Sequence, residues 1–236
     1  MSPEEERNIV NLQNQIERVG AHTEQECAQC LKSAPWPLLP TLDGTVTFLD
    51  SEQLCSAGRV DVIVIAEILE TGGRARPGAF VWELKAPQLP LFQWDTLNQA
   101  CPSPELLRAE NQLLHYHYSI ANDGHFRDRW GIVSSDYVKL GGIVIGQDRG
   151  IIQCEIDNLA LGKQLALQAL RIRESVFYKA SGLRLWTWDR IVTVLKTQTL
   201  SHRRFVGEAD ALVNVIESTV SSTTIVDEQV GNGSTG

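Results

Sequence analysis

No stretch of this chain approaches the roughly 18–20 consecutive apolar residues of a membrane-spanning helix, so nothing in it reads as a bilayer segment. Excess positive charge is missing as well. Lys and Arg number 21 against 29 Asp and Glu, a net charge of −8, so bulk charge does not draw the chain to nucleic acid. Cysteine is scarce and odd in count, five in all, which fits reduced thiols better than a disulfide framework. Cys27-Ala28-Gln29-Cys30 does form a CxxC. A structural zinc would need two more ligands at comparable spacing, and Cys55, Cys101 and Cys154 stand singly, so small residues on a helix are the preferred reading. The start, Met1-Ser2-Pro3-Glu4-Glu5-Glu6, is acidic where a signal peptide would be basic. The expectation from these absences is a soluble, cytoplasmic protein.

Other chemistries are missing too. There is no internal repeat and no G-x-G-x-x-G between strand and helix; Gly141-Gly142-Ile143-Val144-Ile145-Gly146 reads as a short buried strand. The Ser134-Ser135 pair lacks the setting of a nucleophile elbow. His115 and His117 are two apart on a helix and point in different directions. The pairs Arg74/Arg76, Arg127/Arg129, Arg171/Arg173 and Arg203/Arg204 read first as solvated faces.

What is present is an ordinary globular composition, 236 residues with 43% hydrophobic and 21% charged, enough for one core without disulfides. Residues 4–32 read as one helix or two broken near Gly20, followed by an extended stretch at Pro35, Pro37 and Pro40. Strands are expected at 45–49, 59–69 and 79–86, with a turn at 71–78 between the last two. Residues 87–102 read as a proline-containing loop, in which Trp94 beside Phe92 is the aromatic best placed to stack on a base. Ser103-Pro104-Glu105 opens a helix to about Ile120. Residues 141–146 follow as a strand. A long helix over 158–180 should bury Leu161, Leu165, Leu167 and Leu170. A late strand at 183–188 precedes a helix capped by Asp189. The fold class is therefore α/β of the α+β type, in the order α-β-β-β-α-β with added C-terminal helices. The expected organisation is a single domain over 1–217, with a helical segment at 1–34 and a flexible tail at 218–236.

Chemistry concentrates at Glu83-Leu84-Lys85. Residues two apart on a strand share a face, so an acid and a base stand together at the end of an apolar run, where charge is expensive unless paired or bound to metal. If the strands of 59–69 and 79–86 form a hairpin, Asp61 near the start of one meets Glu83 near the end of the other. Two carboxylates, the Leu84 backbone carbonyl and water suit Mg2+ or Mn2+. Lys85 is then placed to handle an attacking water or the charge on a phosphate. Gln112 and Tyr116 share a helix face and are candidates to brace the site.

Asp61, Glu83-x-Lys85 and Gln112-x-x-x-Tyr116, in that order, resemble the PD-(D/E)XK nuclease superfamily, including the glutamine-bearing helix of its RecB-like branch. More narrowly, Glu83-Leu84-Lys85-Ala86-Pro87, Ser103-x-Glu105-Leu106 and Ala109-x-x-Gln112 resemble the Shedu-type nuclease domain of bacterial anti-phage defence. So do Glu26-Cys27-Ala28-Gln29-Cys30-Leu31 with Trp36-Pro37-Leu38-Leu39, Ile143-Val144-Ile145-Gly146 and Leu185-Trp186-Thr187-Trp188-Asp189. The resemblance spans roughly residues 20–200. It implies metal-dependent hydrolysis of phosphodiester bonds, in DNA before RNA. Asp61 and Glu83 would be metal ligands, Lys85 the catalytic lysine and Gln112 a site residue, with Glu26 as a supporting carboxylate. Val60 stands where the family has proline. Shedu nucleases usually carry a larger N-terminal regulatory region, so control by a homo-oligomer or a partner protein of a defence operon is expected. The alternatives are a catalytically silent nucleic-acid-binding or assembly subunit with the same fold, and a CxxC redox or zinc protein.

Overall fold

A computed structural model describes residues 3–17, 24–32, 36–38, 46–55, 58–70, 73–95, 99–153 and 159–197. Ser2–Leu195 forms one compact unit. The tail expected at 218–236, and Arg203/Arg204, lie outside the described residues.

Two helices come first, α1 (Pro3–Glu17) and α2 (Glu24–Lys32); the break expected near Gly20 lies outside the described residues. Three antiparallel strands follow: β1 (Val46–Cys55), β2 (Gly58–Leu69) and β3 (Ala75–Leu84). β1 extends six residues beyond the expected 45–49. β3 also begins earlier than expected, at Ala75, because the turn closes tightly at Glu70–Arg74, where Glu70 N–H donates to the Arg74 carbonyl at 2.9 Å. Pro77 is tolerated inside β3 because the strand at Val138–Val144 joins it only from Ala79 onward, which leaves this stretch an edge on that side.

The expected loop at 87–102 instead contains β4 (Phe92–Trp94) and β5 (Ala100–Pro102), which build a small second sheet with β7 (Ile152–Gln153) in the order β5-β4-β7. Strands of two or three residues carry no legible alternation; β4 and β5 exist through pairing as a local hairpin, and β7 joins β4 from far along the chain. Trp94 therefore sits half-buried on a strand against the core, not in a loop.

α3 (Pro104–Asn122) starts as expected: the Ser103 hydroxyl accepts from Leu106 N–H at 3.1 Å. It is followed by a short helix α4 (Gly124–Arg129) and by β6 (Val138–Val144), which returns parallel to β3. β6 begins three residues before the expected Gly141. The ladder is irregular between Val81 and Trp82, and the glycines there have a steric reason. A Cβ on Gly141 would lie 2.3 Å from the Trp82 indole nitrogen, and one on Gly142 2.2 Å from the Arg184 carbonyl oxygen.

α5 (Leu159–Arg173) runs through a π turn (Glu174–Tyr178) into α6 (Lys179–Ser181). Its apolar pattern holds only in part: Leu161 and Leu167 are exposed, while Leu170 packs, partly buried, against the core and Gly162 and Ala166 are buried. Arg173 is not on a solvated face either, since it bonds Glu110 at 2.5 Å and the Tyr178 hydroxyl at 3.1 Å. β8 (Arg184–Trp186) completes the main sheet, in the order β1-β2-β3-β6-β8. The last helix, α7, occupies 188–197. Its cap is Thr187, whose hydroxyl accepts from Arg190 N–H at 3.3 Å. Asp189 was expected in that role, but its carboxylate takes the Asp148 N–H at 2.7 Å.

Alternate residues of the central strands face opposite layers. Ile63 and Val81, and Ile65 and Ala79, are cross-strand pairs that pack with Leu106, Ala109, Leu113 and Tyr116 of α3. The other face, with Val62, Val64, Phe80, Trp82 and Leu84, is buried as well. There the Trp82 indole donates to the Leu38 carbonyl at 3.1 Å, and Arg184 lies 4.5 Å from the Trp82 ring. Gln147 donates to the Ile16 carbonyl at 2.7 Å and holds the end of α1.

Candidate functional site

The register between β2 and β3 pairs Val62 with Trp82, and one further step puts Asp61 opposite Glu83. Directly opposed residues have Cβ atoms about 4.5–5.5 Å apart, so the two carboxylates meet on the α3 side of the sheet. The Asp61 carboxylate also takes the Leu84 N–H at 2.8 Å, so an acid side chain continues the hydrogen bonding where the ladder ends.

Glu83 is only 1% exposed, on a strand buried on both faces. One of its oxygens accepts from Lys85 Nζ at 2.5 Å, while the other, Oε2, is buried without a hydrogen-bond partner. Burial, then the neighbouring Asp61, pushes the Glu83 carboxyl up to about 8, against the opposing pull of Lys85. Burial works to lower the Lys85 ammonium, yet Glu83, Glu24 and Asp61 outweigh it and leave the pKa raised. Lys85 is therefore a firmly held cation.

Two backbone contacts fix Lys85. Its N–H donates to the Val144 carbonyl at 2.8 Å, and its own carbonyl accepts from the fully buried Trp188 indole at 2.7 Å. Gly146 closes the same corner, with its N–H on the Ala86 carbonyl and its carbonyl on Trp188 N–H. It has φ +65°, and a Cβ there would lie 2.3 Å from the Leu89 carbonyl oxygen.

α3 brings the next pair. Tyr116 is buried and packs beside Gly58 at the start of β2. Burial, then the Glu83 and Asp61 charges, raises its hydroxyl, and the Gln112 side chain hydrogen-bonds to it. The Gln112 Oε1 is buried without a partner. Asp61, Glu83, Lys85, Tyr116 and Gln112 are thus brought together.

The helix carboxylate beside Lys85 is one that the sequence does not single out. Glu24 lies 3.9 Å from Lys85 Nζ, and burial raises its pKa. Glu26, the supporting carboxylate expected from the resemblance, is exposed and lines the wall of the neighbouring cavity. Both acids occupy the first turn of α2, and only docking of that helix decides which faces the sheet. Trp188 was also missed as a site residue, since in sequence an indole reads as core. Cys27 is a buried thiol pushed up to about 12 by burial, then Cys30 and Glu26, so it is no activated nucleophile.

Among the described residues no three His, Cys, Asp or Glu side chains form a ready-made metal cluster. The acids come as an opposed pair, with Glu24 beyond Lys85. That donor set fits a hard divalent cation, because oxygen ligands from two carboxylates leave room for retained water. The unpartnered Glu83 Oε2 is an acceptor that such an ion would satisfy. A cavity of about 940 Å3 opens beside the pair, with Asp61 and Leu84 in its wall. No protein-family model matches the sequence, and no curated protein is significantly similar to it.

Proposed function

We propose that this protein is a metal-dependent nuclease of the PD-(D/E)XK kind, acting on phosphodiester bonds of DNA in an anti-phage role like that of the Shedu-type domains it resembles. The observation that carries the reading is Asp61, whose carboxylate takes the Leu84 N–H at 2.8 Å beside Glu83, with Lys85 Nζ 2.5 Å from Glu83, at the edge of a cavity large enough for substrate. With the small second sheet set aside, the order α-β-β-β-α-β, with β6 parallel to β3, supports the same core.

Asp61, Glu83 and the Leu84 carbonyl would hold Mg2+ or Mn2+, which supplies Lewis acidity and a more acidic water when bound. Lys85 stays charged at neutral pH and is aimed by Glu83 and Glu24, so it stabilises charge that builds on a phosphate oxygen. Tyr116, kept protonated by its surroundings, is a donor beside the carboxylates, and Gln112 holds its hydroxyl. Trp188 fixes the strand end from which Lys85 projects.

Cutting of plasmid and oligonucleotide DNA with Mg2+ or Mn2+, and its loss in EDTA, tests the reading. Lys85→Ala should abolish cutting by a factor of about 10² or more with the fold retained. A Lys85→Ala chain that cuts at the normal rate would sink the assignment.

A further inference from the structure

We infer that the cavity beside Asp61 is a nucleobase pocket, which takes an unpaired base carrying an exocyclic amino group next to the bond to be cut. This rests on the nuclease reading and names its substrate. Asp61 and Leu84 belong to the wall, so an occupant lies against the residues that would hold the cation. The volume of about 940 Å3 lies at the upper end of the 300–1,000 Å3 of small-molecule pockets and accommodates a nucleoside.

The chemistry of the wall selects the occupant. Gln15 from α1 and Gln25 and Gln29 from α2 line it, with Glu24 and Glu26, and Arg59 is the one cation among the described lining residues. Three carboxylates, counting Asp61, against one guanidinium repel a second phosphate but leave a neutral polar group unopposed. Each glutamine offers a carbonyl acceptor and two N–H donors, the complement of a base edge. The Gln15 Oε1 is buried without a hydrogen-bond partner, a state that native structures seldom leave unexplained. With the amide turned into the cavity, that oxygen would accept from an amino group. Glutamine and glutamate acceptors favour adenine, cytosine and guanine, whose amino groups they take, over thymine, which has none. The described lining residues include no aromatic ring, so recognition rests on hydrogen bonds and discriminates between bases.

Cutting of single-stranded dA, dC and dT homopolymers with Mg2+, beside a duplex carrying 2-aminopurine, tests the proposal. The dA and dC strands should be cut about tenfold faster than dT or more. Gln15→Ala should narrow that gap severalfold without altering Mn2+ affinity in calorimetry. Gln29→Ala, at an exposed position, repeats the test without risk to the fold. Equal rates on the three strands, or a gap that both variants leave intact, overturn the pocket while the nuclease reading stands. Cutting of the duplex with a rise in 2-aminopurine fluorescence assigns a base extruded from the helix; cutting only of single strands assigns those. Duplex cutting as fast as single-strand cutting, with no rise, overturns the pocket. Failure to cut any nucleic acid overturns the nuclease reading and the pocket with it.

Discussion

Replacement of Glu83 by glutamine should abolish the pH dependence of stability that this site contributes. Glu83 is buried, faces Asp61, Lys85 and Glu24, and its carboxyl is raised from 4.5 to about 8. A raised carboxyl means that the folded state holds the proton more tightly than the unfolded state. Between about pH 4.5 and about pH 8 the unfolded chain ionises Glu83 while the folded chain keeps it protonated, so stability falls as pH rises through that window. At 1.36 kcal/mol per pH unit the full effect is on the order of 5 kcal/mol. Lys85 stays charged in both states there, so its raised pKa contributes no slope in this window. Glutamine keeps the shape and cannot ionise. Urea unfolding in EDTA at a series of pH values should therefore show Glu83→Gln gaining on wild type by several kcal/mol from about pH 5 to about pH 8. In melting temperature the gain is on the order of 10 °C. Parallel stability curves for the two proteins would refute the burial argument. Mn2+ must displace the proton to bind, so its stabilisation of wild type should grow with pH across the same range and vanish in the variant.

Trp188→Phe removes the indole that bonds the Lys85 carbonyl at 2.7 Å, and an orphaned buried acceptor costs about 1–3 kcal/mol. Denaturation should show that loss, and kcat should fall with Mn2+ affinity unchanged; an unaltered kcat reduces Trp188 to packing. Glu24→Gln should lower the Lys85 pKa and move the alkaline limb of the pH–rate profile downward, because Glu24 is one of the carboxylates that raise it. Glu26→Gln should leave that limb in place, and equal shifts in both would contradict the docking of α2. Gly146→Ala combines φ +65° with a Cβ 2.3 Å from the Leu89 oxygen. It should lose about 1–3 kcal/mol from backbone strain alone, more with the clash, by urea unfolding; a variant as stable as wild type would refute the steric reading.

The strands and the helix start at Ser103 were legible because their signals are local. A β-branched run, a Ser-Pro-Glu start and a glycine-marked turn act through neighbours a few residues away. The short strands β4, β5 and β7 were not, since two or three residues hold no period; β4 and β5 show only once paired as a hairpin, and β7 only once it reaches β4 from far along the chain. The cap of α7 shows the same limit. Thr187 and Asp189 are both capping residues by type, and the Asp148 N–H, far off in sequence, claims Asp189.

At the candidate site the sequence by itself determined the inventory: Asp61, Glu83 and Lys85, with same-face alternation joining the last two and Gln112 joined to Tyr116 by helix spacing. Tertiary structure decided what those groups are. It buried Glu83 to 1% exposure, which is what raises its carboxyl, and brought Glu24 rather than Glu26 to Lys85. It also set Trp188 under the Lys85 carbonyl. Spacing along one element is a property of its own backbone. Desolvation and the choice of partner depend on what other elements pack against it, and those packing terms appear only when the sheet and its helices come together.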